Sequence, residues 1–184
     1  MYKITGGNIL LDVSLILTKA GLEQGMTVAD LGCGTTGHFV FPASNIVGRR
    51  GLVYAVDIMK VALEAIKRRA REENLTNIIT VWSNLEIFGA TKIESSSLDR
   101  ALLINTLYQS HKRVEILRET ARMMKSKAKL VVVEWKNISL PFGPPPEERV
   151  NMNQLVISAR KLGLEMEEEF FVGQFHYGLL FVKM

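Results

Sequence analysis

The segment Asp30-Leu31-Gly32-Cys33-Gly34-Thr35-Thr36-Gly37 sets three glycines at the end of an apolar run, with a carboxylate two residues before the first of them. Glycines at such a point let the chain turn sharply and let a ligand touch backbone directly. A helix starting just beyond them presents unpaired N–H groups and positive potential. A second carboxylate, Asp57, closes the next apolar run, twenty positions past Gly37. A carboxylate in that place accepts two hydrogen bonds from a ribose diol. The glycine spacing alone is a weak signal, but a strand before it and a helix after it supply the context it requires.

Other side chains have chemical capacity as well. His176 stands beside Tyr177, and near a substrate mouth such a pair orients a substrate or moves a proton; the alternative is a polar strand edge. Trp135 and Lys136 close another apolar run and are expected on the same face of the molecule. Cys33 reads as a small packing residue rather than a nucleophile. His38 reads as a helix-start residue, His111 as exposed ahead of its helix, and Met123 and Met124 as core and flank of an amphipathic helix.

Strands and helices alternate along the chain to position these groups. A first helix is predicted from an Asn8 cap to Ala20, with Leu10, Val13, Leu17 and Ala20 at helical spacing. Strands are predicted at 27–31, 52–56, 78–82, 98–104 and 129–135, and a closing hairpin at about 166–172 and 176–182 around Gly173. Between them lie helices within 38–47, over 60–73 and over 112–125, the last with Val114, Leu117, Ala121 and Met124 facing inward. The loop PFGPPPEE is too rich in proline for a sheet interior. Its last proline, Pro146, suits the first turn of a helix running to Leu162, with Met152, Leu155, Ala159 and Leu162 inward. Alternating strand and helix implies a mostly parallel sheet covered on both faces, and the hairpin makes its last strand antiparallel. Ligands of such sheets sit beyond the carboxyl ends of the strands, near the switch in strand order.

The length of 184 residues suits one domain over 1–184, and 47% hydrophobic with 23% charged residues is ordinary for a globular protein. The net charge of +4 fits an acidic or nucleic-acid partner or simply a solvated surface. The densest basic run, Lys67, Arg68, Arg69 and Arg71, meets Glu72 and Glu73 at once and has no interleaved aromatics. A single cysteine excludes an intrachain disulfide and a cysteine metal cluster. The opening MYKITGG has no signal-peptide pattern, and no apolar run reaches the ~18 residues a membrane span needs, so a cytoplasmic protein without a membrane span is expected.

The glycine turn and Asp57 suit either a dinucleotide or S-adenosylmethionine (SAM). Asp30 separates the two: a carboxylate there is repelled by a pyrophosphate but favours a ligand carrying a sulfonium and an ammonium. VADLGCGTTGHF resembles the first motif of class I SAM-dependent methyltransferases, and VYAVDI resembles the acidic motif after it. The similarity is to small methyltransferases of the ubiquinone/menaquinone-biosynthesis type. It continues through SLDRALLINTLYQ, EILRETARMMKSKAKLVVVEW and the final HYGLLFVK.

This resemblance implies a Rossmann-like sheet of order 3-2-1-4-5-7-6 with strand seven antiparallel. Carried over by position, it places Gly32, Gly34 and Gly37 against the methionine part of SAM, with Cys33 in the same turn and Asp30 beside it. Asp57 takes the ribose hydroxyls and Ile58 lies on the adenine. Where the family often has an aspartate near the adenine amine, this chain has Asn84, followed by Leu85, and an Asn oxygen still accepts that bond. Asn105 lines the site near the transferable methyl. The usual lysine-proline-glycine-glycine turn before strand five is replaced by Lys125-Ser126-Lys127-Ala128. The loop 142–146 is a candidate cover for the pocket, and Gly6 and Gly7 for SAM.

The function expected is methyl transfer from SAM to a small-molecule acceptor. Asn105, His176 and Tyr177 are the candidates for catalysis, and no metal is required. An RNA or protein acceptor is the alternative. Against it, strand four ends INTLYQ and not in the Asn-Pro-Pro-aromatic segment of many amino-methylating nucleic-acid enzymes. A SAM-binding protein without turnover would keep the same glycines and Asp57. An NAD-dependent oxidoreductase is disfavoured by Asp30, and arsenite methylation by the single cysteine. Acceptor identity and oligomeric state are left open by these residues.

Overall fold

The computed structural model describes residues 10–138 and 142–184; Gly6, Gly7 and Asn8 lie outside them. One seven-stranded sheet takes β1 (Thr27–Leu31), β2 (Leu52–Asp57), β3 (Ile78–Trp82), β4 (Leu98–Ile104), β5 (Met124–Trp135), β6 (Leu164–Phe171) and β7 (His176–Lys183). The strand order is β3-β2-β1-β4-β5-β7-β6. β7 runs antiparallel to both β5 and β6, and the remaining pairings are parallel. Among the described residues five helices complete the fold: α1 (Val13–Ala20), α2 (Val40–Val47), α3 (Lys60–Glu72), α4 (Arg113–Met123) and α5 (Met152–Arg160).

The period-two alternation of the central strands divides the core into two layers. Val28, Leu102, Val131 and Val133 turn to one face and pack with Ile16 and Leu17 of α1, Val40 and Ala43 of α2, and Leu63 and Ile66 of α3. Ala29, Leu103, Leu130 and Val132 turn to the other and pack with Ile116 and Leu117 of α4 and Leu155 and Ala159 of α5. Burial on both faces is why these strands read as continuous apolar runs.

Four sequence expectations are corrected. The first helix begins at Val13, capped by Asp12, whose carboxylate accepts from Leu15 N–H; Leu10 precedes it. α4 stops at Met123, because Met124 already pairs with Leu98 and starts a longer β5. The buried face of α4 therefore includes Ile116 and Thr120, while Val114 is largely exposed and Met124 is a strand residue. Pro146 opens only a single 3-10 turn, Pro146–Glu148, and α5 starts at Met152 with Asn151 accepting from Gln154 N–H. At the starts of α1 and α5 a local side-chain cap sets the boundary, and at the end of α4 strand pairing does. The expected inward positions 62, 66 and 70 of α3 are buried.

Candidate cofactor cleft

Sequence order reverses between β1 and β4, and a cleft of about 310 Å³ opens there beyond the carboxyl ends of β1 to β4. Each strand end contributes to it. Gly32 and Gly34 come from β1, Asp57 and Ile58 from β2, Asn84 and Leu85 from β3, and Thr106 and Ser110 from the segment after β4. Asp57 and Glu86 are the only charged residues among the described lining, which contains no lysine, arginine or histidine.

The three glycines have different physical reasons. All adopt left-handed φ, at 89° for Gly32, 63° for Gly34 and 56° for Gly37. A Cβ on Gly32 would stand 2.7 Å from Thr106 Oγ1, so β4 can close on β1 only over a bare backbone. A Cβ on Gly37 would lie 2.4 Å from Ile66 Cδ1 and 2.7 Å from Phe41 Cε2. A Cβ on Gly34 would meet nothing within 4 Å, and because Gly34 lines the cleft, it would project into open space there. Gly37→Ala is therefore expected to cost roughly 1–3 kcal/mol of stability through overpacking and φ strain. Gly34→Ala is expected to cost about 1 kcal/mol yet to impair ligand binding more. Parallel thermal melts and titrations with S-adenosylhomocysteine (SAH) check the pair, and equal effects in both measurements would refute the distinction.

Asp57 is buried at the end of β2, and its carboxylate is already oriented. Oδ2 accepts from Gly34 N–H at 2.9 Å and Oδ1 from Met59 N–H at 2.8 Å. Each oxygen keeps a lone pair for a ligand. Asp30 lies under the turn at 3% exposure, and burial followed by the charge of Asp57 pushes its carboxyl up to about 7. Asp57, with the buried Asp30 behind it and no basic residue in the described lining, favours a cation in the cleft and disfavours a pyrophosphate. Burial, with Asp30 and Asp57 nearby, also pushes the Cys33 thiol up, so it remains protonated and packs as a hydrophobe. The cleft thus offers a bare-backbone turn, a pre-aimed carboxylate, the exposed Ile58 side chain and an electronegative base, which fit a SAM-type nucleoside.

Asp30, Cys33, Gly37 and Asn105 do not line the cleft; they lie behind or beside it. Asn105 takes φ 53°, and its N–H donates to Val133 O at 2.8 Å. Asn84 lines the cleft, but its Oδ1 accepts from Glu86 N–H at 2.9 Å, so much of its capacity holds the loop after β3. Sequence reasoning missed Thr106, whose hydroxyl donates to Leu31 O at 2.9 Å and ties β4 to β1. It also missed Ser110 and Glu86, which join the loops after β4 and β3 through a 2.6 Å hydrogen bond. Their positions just past strand ends were the available signal.

His176 and Tyr177 are not in the cleft, and they point to opposite sides of the sheet. His176 is 1% exposed, 4.2 Å from the Trp135 ring between centroids, and burial with Lys136 nearby pushes it down to about 4. It is therefore neutral at physiological pH. Phe142 and Gly143 pack on the same Trp135, so the start of the expected covering loop lies against the end of β5. Tyr177 is buried, donates to Val150 O at 3.1 Å, and is pushed up by burial and Glu134. It borders a separate cavity of about 350 Å³ with Lys136, Asn151 and Glu169. Trp135 and His176 are paired across β5 and β7. His111 is exposed as expected.

The strand order, the reversed β7 and this cleft at the β1/β4 switch define a class I SAM-dependent methyltransferase fold, with SAM as its cofactor. The chain belongs to the methyltransferase domain family, whose model matches residues 22–169. A demethylmenaquinone methyltransferase of Lactococcus lactis is 30% identical over 126 residues, covering 68% of this chain and 48% of that protein. The chain thus spans less than half the length of that curated relative. Among solved structures, a SAM-dependent methyltransferase from Aquifex aeolicus superposes with a TM-score of 0.86 at 25% identity, covering 95% of this chain and 91% of that one. The [4+2]-cyclase SpnF shares the fold at a TM-score of 0.79 and 16% identity, covering 93% of this chain and 79% of that one. No helix among the described residues is long and apolar enough to cross a membrane.

Proposed function

We propose that this chain acts as one methyltransferase domain over residues 1–184, transferring the methyl group of SAM to a small-molecule acceptor. The observation that carries the reading is a glycine-turn cleft whose described charged lining is acidic throughout. Asp57 accepts the ribose hydroxyls, Ile58 covers the adenine, and Asn84 and Leu85 border its edge. The backbone of Gly32 and Gly34 meets the methionine part, with Cys33, Gly37 and Asp30 supporting the turn from behind. When bound, SAM supplies an electrophilic methyl on a sulfonium centre. The chain's own task is alignment of the acceptor with that methyl. Asn105, just past the end of β4 and beside the cleft, and the neutral His176, buried against Trp135, are the groups proposed to orient an acceptor. Tyr177 is disfavoured as a base, because its hydroxyl is committed to Val150.

A small acceptor is supported by relatives named for demethylmenaquinone, cobalt-precorrin-6B and aklanonic acid, although another is named for protein L-isoaspartate. An RNA or protein acceptor draws on the basic run of α3, where Lys67, Arg68 and Arg71 are exposed. Steeply salt-dependent RNA binding would favour it. The fold of the [4+2]-cyclase keeps a reading without methyl transfer in play.

Mass spectrometry of ligand carried through purification, with calorimetry against SAH and NADH, tests the cofactor. SAM or SAH recovered, and SAH bound in preference to NADH, is the expected result. NADH bound in its place would end the reading. A turnover assay over a panel of small acceptors then separates an enzyme from a binding protein.

A further inference from the structure

Glu134 occupies the second-last position of β5 and is 0% exposed. Its Oε1 accepts from Leu107 N–H at 2.6 Å and from Tyr108 N–H at 3.3 Å. Those two groups open the 3-10 turn Leu107–Gln109, whose first N–H groups have no partner within the turn itself. The residue before such a turn ordinarily supplies the cap from its own side chain. Here that residue is Thr106, and it makes no cap bond. Its hydroxyl instead donates to Leu31 O across the β1/β4 junction, beside the bare backbone of Gly32. The cap is supplied from the neighbouring strand, which leaves Thr106 for the cleft.

We infer that Glu134 is a positioning residue for cofactor binding: by capping the turn after β4 from β5, it fixes Thr106, Gln109 and Ser110 as the wall of the cleft. All three line the cleft, and Ser110 extends the constraint to Glu86 on the opposite loop. The inference rests on the reading of that cleft as the SAM site. The second oxygen, Oε2, is buried without a hydrogen-bond partner, so an uncharged side chain that keeps the Oε1 acceptor is sufficient. Burial pushes the carboxyl up to about 8 against the lowering effect of the Leu107 and Tyr108 N–H groups, of Arg113 and of the Trp135 N–H. The titratable groups facing it are Tyr108 from the turn, Arg113 from α4 and Tyr177 from β7.

The test compares E134Q, which keeps the acceptor, with E134L, which keeps the bulk but not the acceptor. Calorimetry with SAH should find E134L weakened by roughly 10-fold and E134Q within about 3-fold of wild type, one lost hydrogen bond being about a tenfold effect. In ligand-free protein, amide exchange over 105–110 should quicken in E134L but not in E134Q, with 52–57 unchanged in both. If E134L does not fold, E134D, one methylene shorter, takes its place. The pH profile adds a third readout. The native state keeps a proton that the unfolded chain releases above about 4.5, so the wild-type melting temperature falls as pH rises through about 8 and that of E134Q does not follow it.

Wild-type affinity and exchange in a folded E134L would overturn the inference. So would an E134Q as impaired as E134L, because the acceptor would then not be what matters. Failure of wild-type protein to bind SAH would defeat the cofactor reading alone, and the exchange comparison would still decide the role of Glu134.

Discussion

Asp57→Ala is expected to weaken SAH binding by roughly 10–100-fold, the equivalent of ~1.5–3 kcal/mol of lost charge-assisted hydrogen bonding. The carboxylate is the only acidic group that the end of β2 brings into the cleft, and backbone donors on both sides hold it in place. The substitution removes the acceptor and also frees Gly34 N–H, which loosens the glycine turn where the methionine part is proposed to lie. Asp57→Asn should fall between wild type and alanine, because one amide face keeps an acceptor while the other presents a donor to a backbone N–H. Calorimetry measures both, with thermal melts as the control for folding. A folded Asp57→Ala protein with unchanged SAH affinity would remove Asp57 from the site.

Glu119→Ala is expected to destabilise the fold by about 3–5 kcal/mol, the usual consequence of removing one member of a buried, hydrogen-bonded ion pair. Glu119 is 0% exposed on α4 and receives Gly89 N–H at 2.7 Å, Thr91 N–H at 3.0 Å and Arg122 Nε at 2.8 Å. Arg122 in turn donates to Ile93 O and Thr91 O, so the pair pins the loop between β3 and β4 onto α4. That loop begins with Asn84 to Glu86, which form one wall of the cleft. Alanine would leave two backbone donors and a largely buried guanidinium without their acceptor. In a chain of this length the loss corresponds to a melting temperature lower by roughly 6–20 °C.

The same residue carries a pH signature. Burial alone would raise the Glu119 carboxyl, but Arg122 and the Gly89 and Thr91 N–H groups outweigh it and hold the carboxyl down at about 2. Its contribution to stability is therefore present above about pH 4.5 and is lost as pH falls toward 2. Urea unfolding of wild type and Glu119→Gln should show a large difference at pH 7 that narrows at acid pH. A difference independent of pH would mean that packing, not the ion pair, holds the loop. Glu119 and Glu134 are thus two buried glutamates shifted in opposite directions: one is held charged because a guanidinium hydrogen-bonds it along with backbone amides, and the other is pushed toward the neutral form because burial outweighs its backbone amides and an arginine that does not bond it.

The order of elements and the cofactor motif were legible in the sequence because both are local. A strand buried on both faces is an unbroken apolar run, as in β1 and β5, and a glycine turn after such a run has few other uses. The boundaries of α4 and α5 were less legible. At the start of α5 a cap at Asn151 overrode the signal of Pro146, and at the end of α4 the pairing of Met124 with Leu98 overrode a periodicity that continued past it.

The sequence alone determined where Asp30, Gly32, Gly34 and Asp57 stand at the ends of β1 and β2 and in the turn after β1, since each takes its place from the strand it ends or the turn it makes. Tertiary structure alone decided that Gly37 is a packing glycine, that Thr106 and not Asn105 lines the cleft, that His176 and Tyr177 diverge, and that Glu134 caps a turn it does not belong to. The physical reason is distance along the chain. Thr106 reaches Leu31 across 75 positions and Glu134 reaches Leu107 across 27, and such bonds exist only once β1, β4 and β5 lie side by side in the sheet.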